Sequence, residues 1–435
     1  MVGSHGDVHP FVGLGARLRE RGHRVTAIVN PFFEPLARRA GLDVVPLGTA
    51  DDYRQLAARP ELWHPIEGPR LVMRETAAGS RAMYDAVVAN VTPGQTVAVG
   101  SSLAVGARAA AEKHGFPLVT VHLSPALFRS VYDNPIFAGM FMPRWLPRRM
   151  KTWIFDLGDK LVIQPSIGPG LNALCADLGL PPVQKFMHKW WHSPDLVIGM
   201  FPEWYAPRQP DWPPQLRQTS FPLWDERGLS QTPAGLEEFL ASGDPPVVFT
   251  PGSAMWNGHR FFEQSTAACR RLGIRGILLS RHAGHIPKHL PPHVRHFDYV
   301  PFSELLPRAA ALVHHGGIGT TAQALAAGVP QLVAAMTHDQ PDNAARVQRL
   351  GVGTGMKMQR YNARSVADRL RNLLSSPTIK DNCRKVASLF QAADGLAQSC
   401  DLIESLANSR GIAPHPNAPT ASPMRGVVTS GDHVP

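Results

Sequence analysis

Cysteine is scarce. The four cysteines in 435 residues, Cys175, Cys269, Cys383 and Cys400, lie far apart with no CxxC or CxxH pair. That spacing excludes a recognisable cysteine-metal site or disulfide framework, and a reducing cytosol is the simplest setting. No apolar run reaches the roughly 18 residues needed to span a bilayer, and no charged-then-apolar signal segment opens the chain. A cytoplasmic protein is expected, at most peripheral at the inner face of the membrane. Also missing is a Gly-x-Gly-x-x-Gly that opens a βαβ unit with an acidic residue about 20 positions on, which counts against a dinucleotide dehydrogenase. Charged residues are only 18%, and 34 acids face 44 Lys and Arg, for a formal net charge of +10. Such a balance suits an anionic partner, whether nucleic acid, acidic membrane or phosphorylated ligand. No nucleic-acid-binding motif is present, so no nucleic-acid partner is expected.

Hydrophobic residues, by contrast, make up 44%, enough to bury real cores over two or three domains. In the first half, helices and short apolar strands alternate. Phe11, Leu14 and Leu18 share a helical face that Gly22 stops, and Val25 to Val29 then reads as a buried strand. Residues 96–99 and 118–121 are strands that bracket an Ala-rich helix. This alternation predicts a parallel sheet covered on both faces. Residues 202–234, rich in Pro, Trp and Gln, interrupt the pattern, which resumes at 246–250, 276–279 and 311–313. The expected organisation is an N-terminal α/β domain over 1–206, a linker over 207–234, a second α/β domain over 235–410 and a disordered tail over 411–435. The motif Gly3-Ser4-His5-Gly6-Asp7 starts almost at Met1, although such a loop normally follows a buried strand. Either the first strand is truncated or the start lies upstream.

The most informative stretch is His314-His315-Gly316-Gly317-Ile318-Gly319-Thr320-Thr321, which runs on to Gln323 and to Gly328-Val329-Pro330. A strand enters a Gly-rich turn and then a short helix, aiming free N–H groups and a positive helix end at an anion. The same spacing also suits a tight strand-to-helix turn with no ligand. A further strand, Gln331 to Ala335, leads to Thr337-His338-Asp339-Gln340 and Asn343. A carboxylate beside an amide suits the paired hydroxyls of a sugar, and equally suits helix capping.

From His315 to Asn343 the chain resembles the donor-binding signature of family 1 glycosyltransferases, which have the two-domain GT-B fold. Residues 3–10 resemble the acceptor-side loop of sterol glucosyltransferases and vancomycin-group antibiotic glycosyltransferases. Pro46-Leu47, Trp190 to Pro194, Phe221-Pro222-Leu223 and Val248-Phe249-Thr250 resemble rhamnolipid-forming rhamnosyltransferases. The likeness runs from residue 1 to about 405. It implies an α/β chain of two Rossmann-like parallel-sheet domains facing across a cleft, with a UDP- or dTDP-sugar as substrate. His315, Gly317, Gly319 and Thr320 would then hold the diphosphate, with Ser253 as a second phosphate contact. Tyr299 would stack on the base and Val300 pair with it through its backbone. Asp339 and Gln340 would grip sugar hydroxyls. Plant relatives place a Glu on the ribose hydroxyls where this chain has Gln323, which leaves UDP and dTDP both open.

Transfer with inversion needs a base for the acceptor hydroxyl. Asp7 matches the base position of the antibiotic enzymes, with His5 as second candidate. Asp7 also fits as N-cap of a helix from Pro10 to Arg21. No metal-ligand cluster is visible, so a metal-independent reaction without a cofactor is expected. Residues 136–155 mix large apolar groups with clustered bases, as does Lys185 to Trp191. Such segments line the mouth of a greasy cleft, make a peripheral membrane contact, or are ordinary surface helices with one buried face. The expected acceptor is a lipophilic small molecule: a hydroxy fatty acid derivative, a sterol or a polyketide-like compound. Two alternatives stand beside this reading, a GT-B nucleotide-sugar epimerase and an inactive sugar-nucleotide or lipid binding protein.

Overall fold

The computed structural model describes residues 1–412 except 2, 253–257 and 392. All strand pairs in it are parallel. In the N-terminal half, β1 (Thr26–Val29) pairs with β2 (Asp43–Pro46). A separate sheet runs β3 (Ala98–Ser101), β4 (Leu118–His122), β5 (Leu196–Gly199) and β6 (Leu216–Gln218) in order. Met1 packs into the hydrophobic clusters of both sheets, and its amino group donates to Ile28 O at 2.6 Å.

The C-terminal sheet contains β7 (Val247–Thr250), β8 (Gly276–Leu279), β9 (Val294–Phe297), β10 (Ala311–His314), β11 (Gln331–Ala335) and β12 (Gly353–Lys357). Their order is β12-β11-β10-β7-β8-β9. Side chains alternate between its faces with the strand period of two. Val247, Phe249, Ala311 and Val313 join one core with Phe261, Phe262 and Leu370, whereas Val248 and Leu312 join another with Phe239, Leu305 and Ala324. Burial on both faces explains why these strands read as continuous apolar runs.

Five helices matter for the site and its surroundings: α1 (His5–Glu20), α2 (Arg148–Gly158), α3 (Ile318–Ala326), α4 (Gln340–Arg349) and α5 (Gly395–Ser409). Three features of the chain differ from expectation. α1 begins at His5 rather than Pro10, because Ser4 and Asp7 form a capping box. Asp7 is thus its N3 residue and not its N-cap. The stretch 207–234 is more than a linker, since β6 lies within it and extends the N-terminal sheet. α5, expected in the second domain, returns to the first. Leu396, Cys400 and Ile403 pack with Phe11, Leu14, Val119 and Val121. Arg21 adds bonds to Asp401 (2.6 Å) and Glu404 (2.9 Å). Of the expected tail, residues 413–435 lie outside the described residues.

Candidate active site

The sheet order fixes where a ligand fits. From β7 the chain builds outward through β8 and β9, then returns to β10 on the other side of β7. The loops after β7 and β10 therefore diverge at a topological switch point, where open α/β sheets bind ligands.

His315, the first residue after β10, occupies that crevice. Its imidazole is wedged between two backbones. A Cβ on Gly252 would lie 2.5 Å from His315 Cε1, and one on Gly317 would lie 2.5 Å from Nε2. Gly252 also has φ +90°, a left-handed conformation that favours glycine. Burial holds the His315 imidazole well below its usual pKa, at about 4, so it is neutral at pH 7. Its Nδ1 is buried without a hydrogen-bond partner. Beside it, Gly317 is the N-cap of α3 and offers no side-chain cap, and Thr321 N makes its bond back to Gly317 O at 3.0 Å. The N–H groups ahead of Thr321 thus form a positive helix end next to the ring. Gly319 leaves open space where a side chain would stand. Thr320 and the buried Gln323 lie on the same helix, one turn apart.

The shape of the turn comes from two residues behind it. Gly316 N donates to His314 Nδ1 (3.1 Å), while His314 Nε2 faces Gln331 Oε1 (3.0 Å), which places the His314 proton on Nε2. Asn343, fully buried on α4, donates from Nδ2 to Gly316 O (2.9 Å) and to Asp339 Oδ2 (2.8 Å). Tyr205 OH donates to its Oδ1 at 3.0 Å. Asn343 stands in the sequence signature but not among the expected contact residues; its role is to tie the Gly316 turn to the Asp339 loop. Gln340 Oε1 accepts from Met336 N (2.9 Å) and Thr337 N (3.3 Å), so this side chain does cap the loop before α4.

Asp339 meets the N-terminal domain. Burial raises its pKa from 3.8 to about 6, and the nearby Asp7 charge adds to the rise, against bonds from Asn343 and Ser124. Asp7, on the opposite wall, is also raised by burial, against two bonds from Ser4. Both fall on Oδ2, from Ser4 N (2.7 Å) and Ser4 Oγ (3.0 Å). The two domains thus bring one carboxylate each to the same place. His5, two residues before Asp7 on α1, sits among Phe32, Phe33 and His9. Burial and the neighbouring His9 and Arg281 hold its pKa down at about 3. Arg281 Nη1 lies 3.4 Å from His5 Nε2, and His5 Nδ1 is buried without a partner.

Tyr299 lies at the cleft edge with its hydroxyl bonded to Asp225 O and the Arg281 guanidinium 4.5 Å from its ring centre. Val300 is buried in the adjoining core. Ser253 lies outside the described residues. Among the described residues, no group of three or more His, Cys, Asp or Glu is arranged to hold a metal ion.

Sequence reasoning missed Glu226, inside the stretch read as linker. At φ +63° and almost fully buried, it accepts from Arg39 (2.9 Å) and Arg281 (3.2 Å), and His9 Nε2 lies 3.3 Å away. Burial alone would raise its pKa, but His9, Arg281 and Arg39 override it and hold it at about 2. Glu226 therefore clasps α1, the helix after β1 and the C-terminal domain together. Its contribution is present above the ordinary value of 4.5 and lost as pH falls toward 2. Glu226→Gln should cost about 2 kcal/mol at pH 7, a gap that urea melts should show closing below pH 4.

Comparison with known proteins agrees with this geometry. Residues 276–399 match the family described as erythromycin biosynthesis protein CIII-like, C-terminal domain. The O-mycaminosyltylonolide 6-deoxyallosyltransferase of Streptomyces fradiae is 31% identical over 431 residues, covering 95% of this chain and 98% of that protein. Among solved structures, the glycosyltransferase of kitacinnamycin superposes with a TM-score of 0.70 at 22% identity over 93% of this chain and 96% of that one. Glycosyltransferase VinC in complex with dTDP gives 0.65 at 21% over 94% and 98%. Two parallel-sheet domains meeting at a switch-point crevice are the architecture of a GT-B glycosyltransferase. The chain belongs to the family 1 glycosyltransferases with the erythromycin CIII-like C-terminal domain, which includes antibiotic glycosyltransferases, and is itself an enzyme of that kind.

Proposed function

We propose that this glycosyltransferase moves a hexose of the 6-deoxy type, with inversion, from a dTDP- or UDP-sugar to a hydroxyl of a lipophilic, polyketide-like acceptor. One observation carries the reading: the Asp7 carboxylate, from the opposite domain, is close enough to raise the pKa of the buried Asp339, beside the wedged His315 and the uncapped α3. In this reading Asp7, through Oδ1, takes the acceptor proton as the acceptor oxygen attacks the anomeric carbon. The bond from that carbon to the diphosphate breaks on the opposite face. A base whose pKa is raised toward working pH serves this better than an ordinary aspartate. His5 is the weaker candidate, since its pKa of about 3 makes it a poor base.

His315 and the α3 N–H groups receive the leaving diphosphate, so no metal is required in this reading. Asp339 accepts from a sugar hydroxyl and the Gln340 amide N–H₂ donates to another. Tyr299 and Val300 border the nucleobase, Gln323 the ribose, and Ser253 the second phosphate. The amide at Gln323 and the dTDP bound by VinC favour a deoxyribose donor. His315→Ala should weaken dTDP binding about tenfold, as expected for one hydrogen bond to a charged group, and Gly317→Ala should weaken it comparably by displacing the ring. An unchanged dissociation constant in both by calorimetry would remove His315 from the site.

The test is a screen of dTDP- and UDP-hexoses against hydroxylated polyketides, sterols and hydroxy fatty acids, with the anomeric configuration of the product read by NMR. An inverted glycoside is the expected product. Retention would overturn the mechanism, and an epimerised donor formed without acceptor would favour the epimerase alternative.

A further inference from the structure

The exposed apolar surface is concentrated outside the cleft. Phe141 is 82% exposed, Trp145 78% and Trp153 64%. On α2 and the π-helical turn after it, Met150, Trp153, Leu157 and Leu161 are spaced by three, four and four residues, so they form one outward stripe. The stripe is firmly mounted from behind. Phe155 is buried under the Arg129 guanidinium, 5.3 Å from its ring centre, and Lys151 Nζ donates to Arg144 O (3.0 Å) and Val131 O (3.3 Å). These inward residues carry the packing, leaving the outward ones without a structural task.

The charge around the stripe is mainly positive, although Arg144 is paired with Asp133. Arg144, Arg148, Arg149 and Lys160 are exposed beside it, against a single exposed acid, Asp156. The other acid of the segment, Asp159, is taken by Arg129. Among the described residues, no helix is long and apolar enough to cross a membrane. The segment begins at the cleft: Ile136 N donates to Asp342 Oδ1 at 3.1 Å, on the helix whose first turn follows Asp339.

We propose that this face docks on a bilayer surface rich in anionic lipid. The Trp, Leu and Met side chains enter the headgroup boundary, and Arg148, Arg149 and Lys160 reach lipid phosphates around them. Charge complementarity selects this occupant, because a basic rim around amphipathic aromatics matches an anionic interface. Docking would set the mouth of the cleft beside the apolar phase from which a lipophilic acceptor is drawn. Lipid binding itself does not depend on the glycosyl-transfer reading.

Co-sedimentation of the full chain with phosphatidylcholine vesicles, with and without phosphatidylglycerol, tests it. The wild type should sediment with the phosphatidylglycerol vesicles and be released by salt. Trp145→Ser/Trp153→Ser should abolish sedimentation. Arg148→Gln/Arg149→Gln should weaken it about thirtyfold, from about 1 kcal/mol per basic residue at an anionic surface. Both variants should bind dTDP like the wild type in calorimetry, which separates a lost membrane face from a lost donor site. The proposal is overturned if the wild type sediments with neither vesicle, or if the variants sediment like the wild type. It is equally overturned if light scattering finds a dimer that the double tryptophan variant dissolves, since a second copy would then cover the face.

Discussion

Asp7→Asn should lower kcat about 10²–10⁴-fold, the usual contribution of a general base, while dTDP affinity stays within a few-fold. The substitution is nearly isosteric. Asn Oδ1 can still accept from Ser4 N and Ser4 Oγ, so the box that starts α1 is kept. What disappears is a carboxylate able to hold a proton. If Asp7 merely capped the helix, the amide would replace it and kcat would hardly move. The pH profile gives a second reading. A protonated Asp7 is no base, so kcat/KM should fall as pH drops through its pKa. Because burial raises that pKa, the acid limb should lie above the ordinary carboxylate range. A limb at or below the ordinary range would contradict the assignment.

Asp339→Asn should cut kcat/KM about 10²-fold through the lost charged contact with the sugar, and yet make the fold more stable at neutral pH. Its folded pKa of about 6 lies above the ordinary 3.8, so the native state binds the extra proton. Ionising it in place therefore costs stability, about 1–3 kcal/mol above pH 6. The cost shrinks as pH falls and is absent below the ordinary value. The amide avoids it while still accepting from Asn343. Chemical denaturation at pH 7.5 should show the variant as the more stable protein, and at pH 3.5 the two should coincide. A variant less stable than the wild type at pH 7.5 would mean that the Asp339 carboxylate is held by its partners rather than strained by burial.

The part of the site built on the C-terminal sheet was legible because its signals are local. Short β-branched runs, a Gly-rich turn after β10 and Asp339-Gln340 after β11 each announce their own geometry, and parallel sheet order then brings them together. What escaped depends on contacts far apart in sequence. Glu226 looked like one acid in a Pro-rich stretch, and its partners Arg39 and Arg281 lie 187 and 55 residues away. The return of α5 to the first domain leaves no local mark, since its apolar face fits either sheet. The start of α1 was readable and misassigned: Ser4-x-x-Asp7 is a capping box, but Pro10 drew the boundary toward itself. Residues 136–155 mix large apolar groups with clustered bases, although composition cannot say which of them face inward or out. That required the Phe155 and Lys151 packing.

The central claim, a nucleotide-diphosphate site at the β7–β10 crevice, is tested most directly by thermal unfolding of the purified protein with dTDP, UDP, GDP and NAD. Binding to the native state alone adds about 2.7 kcal/mol at 100 times Kd. The expected result is a higher Tm with dTDP, a shift with UDP that is smaller or equal, and none with NAD, with the dTDP shift reduced by His315→Ala. No shift with either pyrimidine diphosphate, or the same shift in His315→Ala, would contradict it.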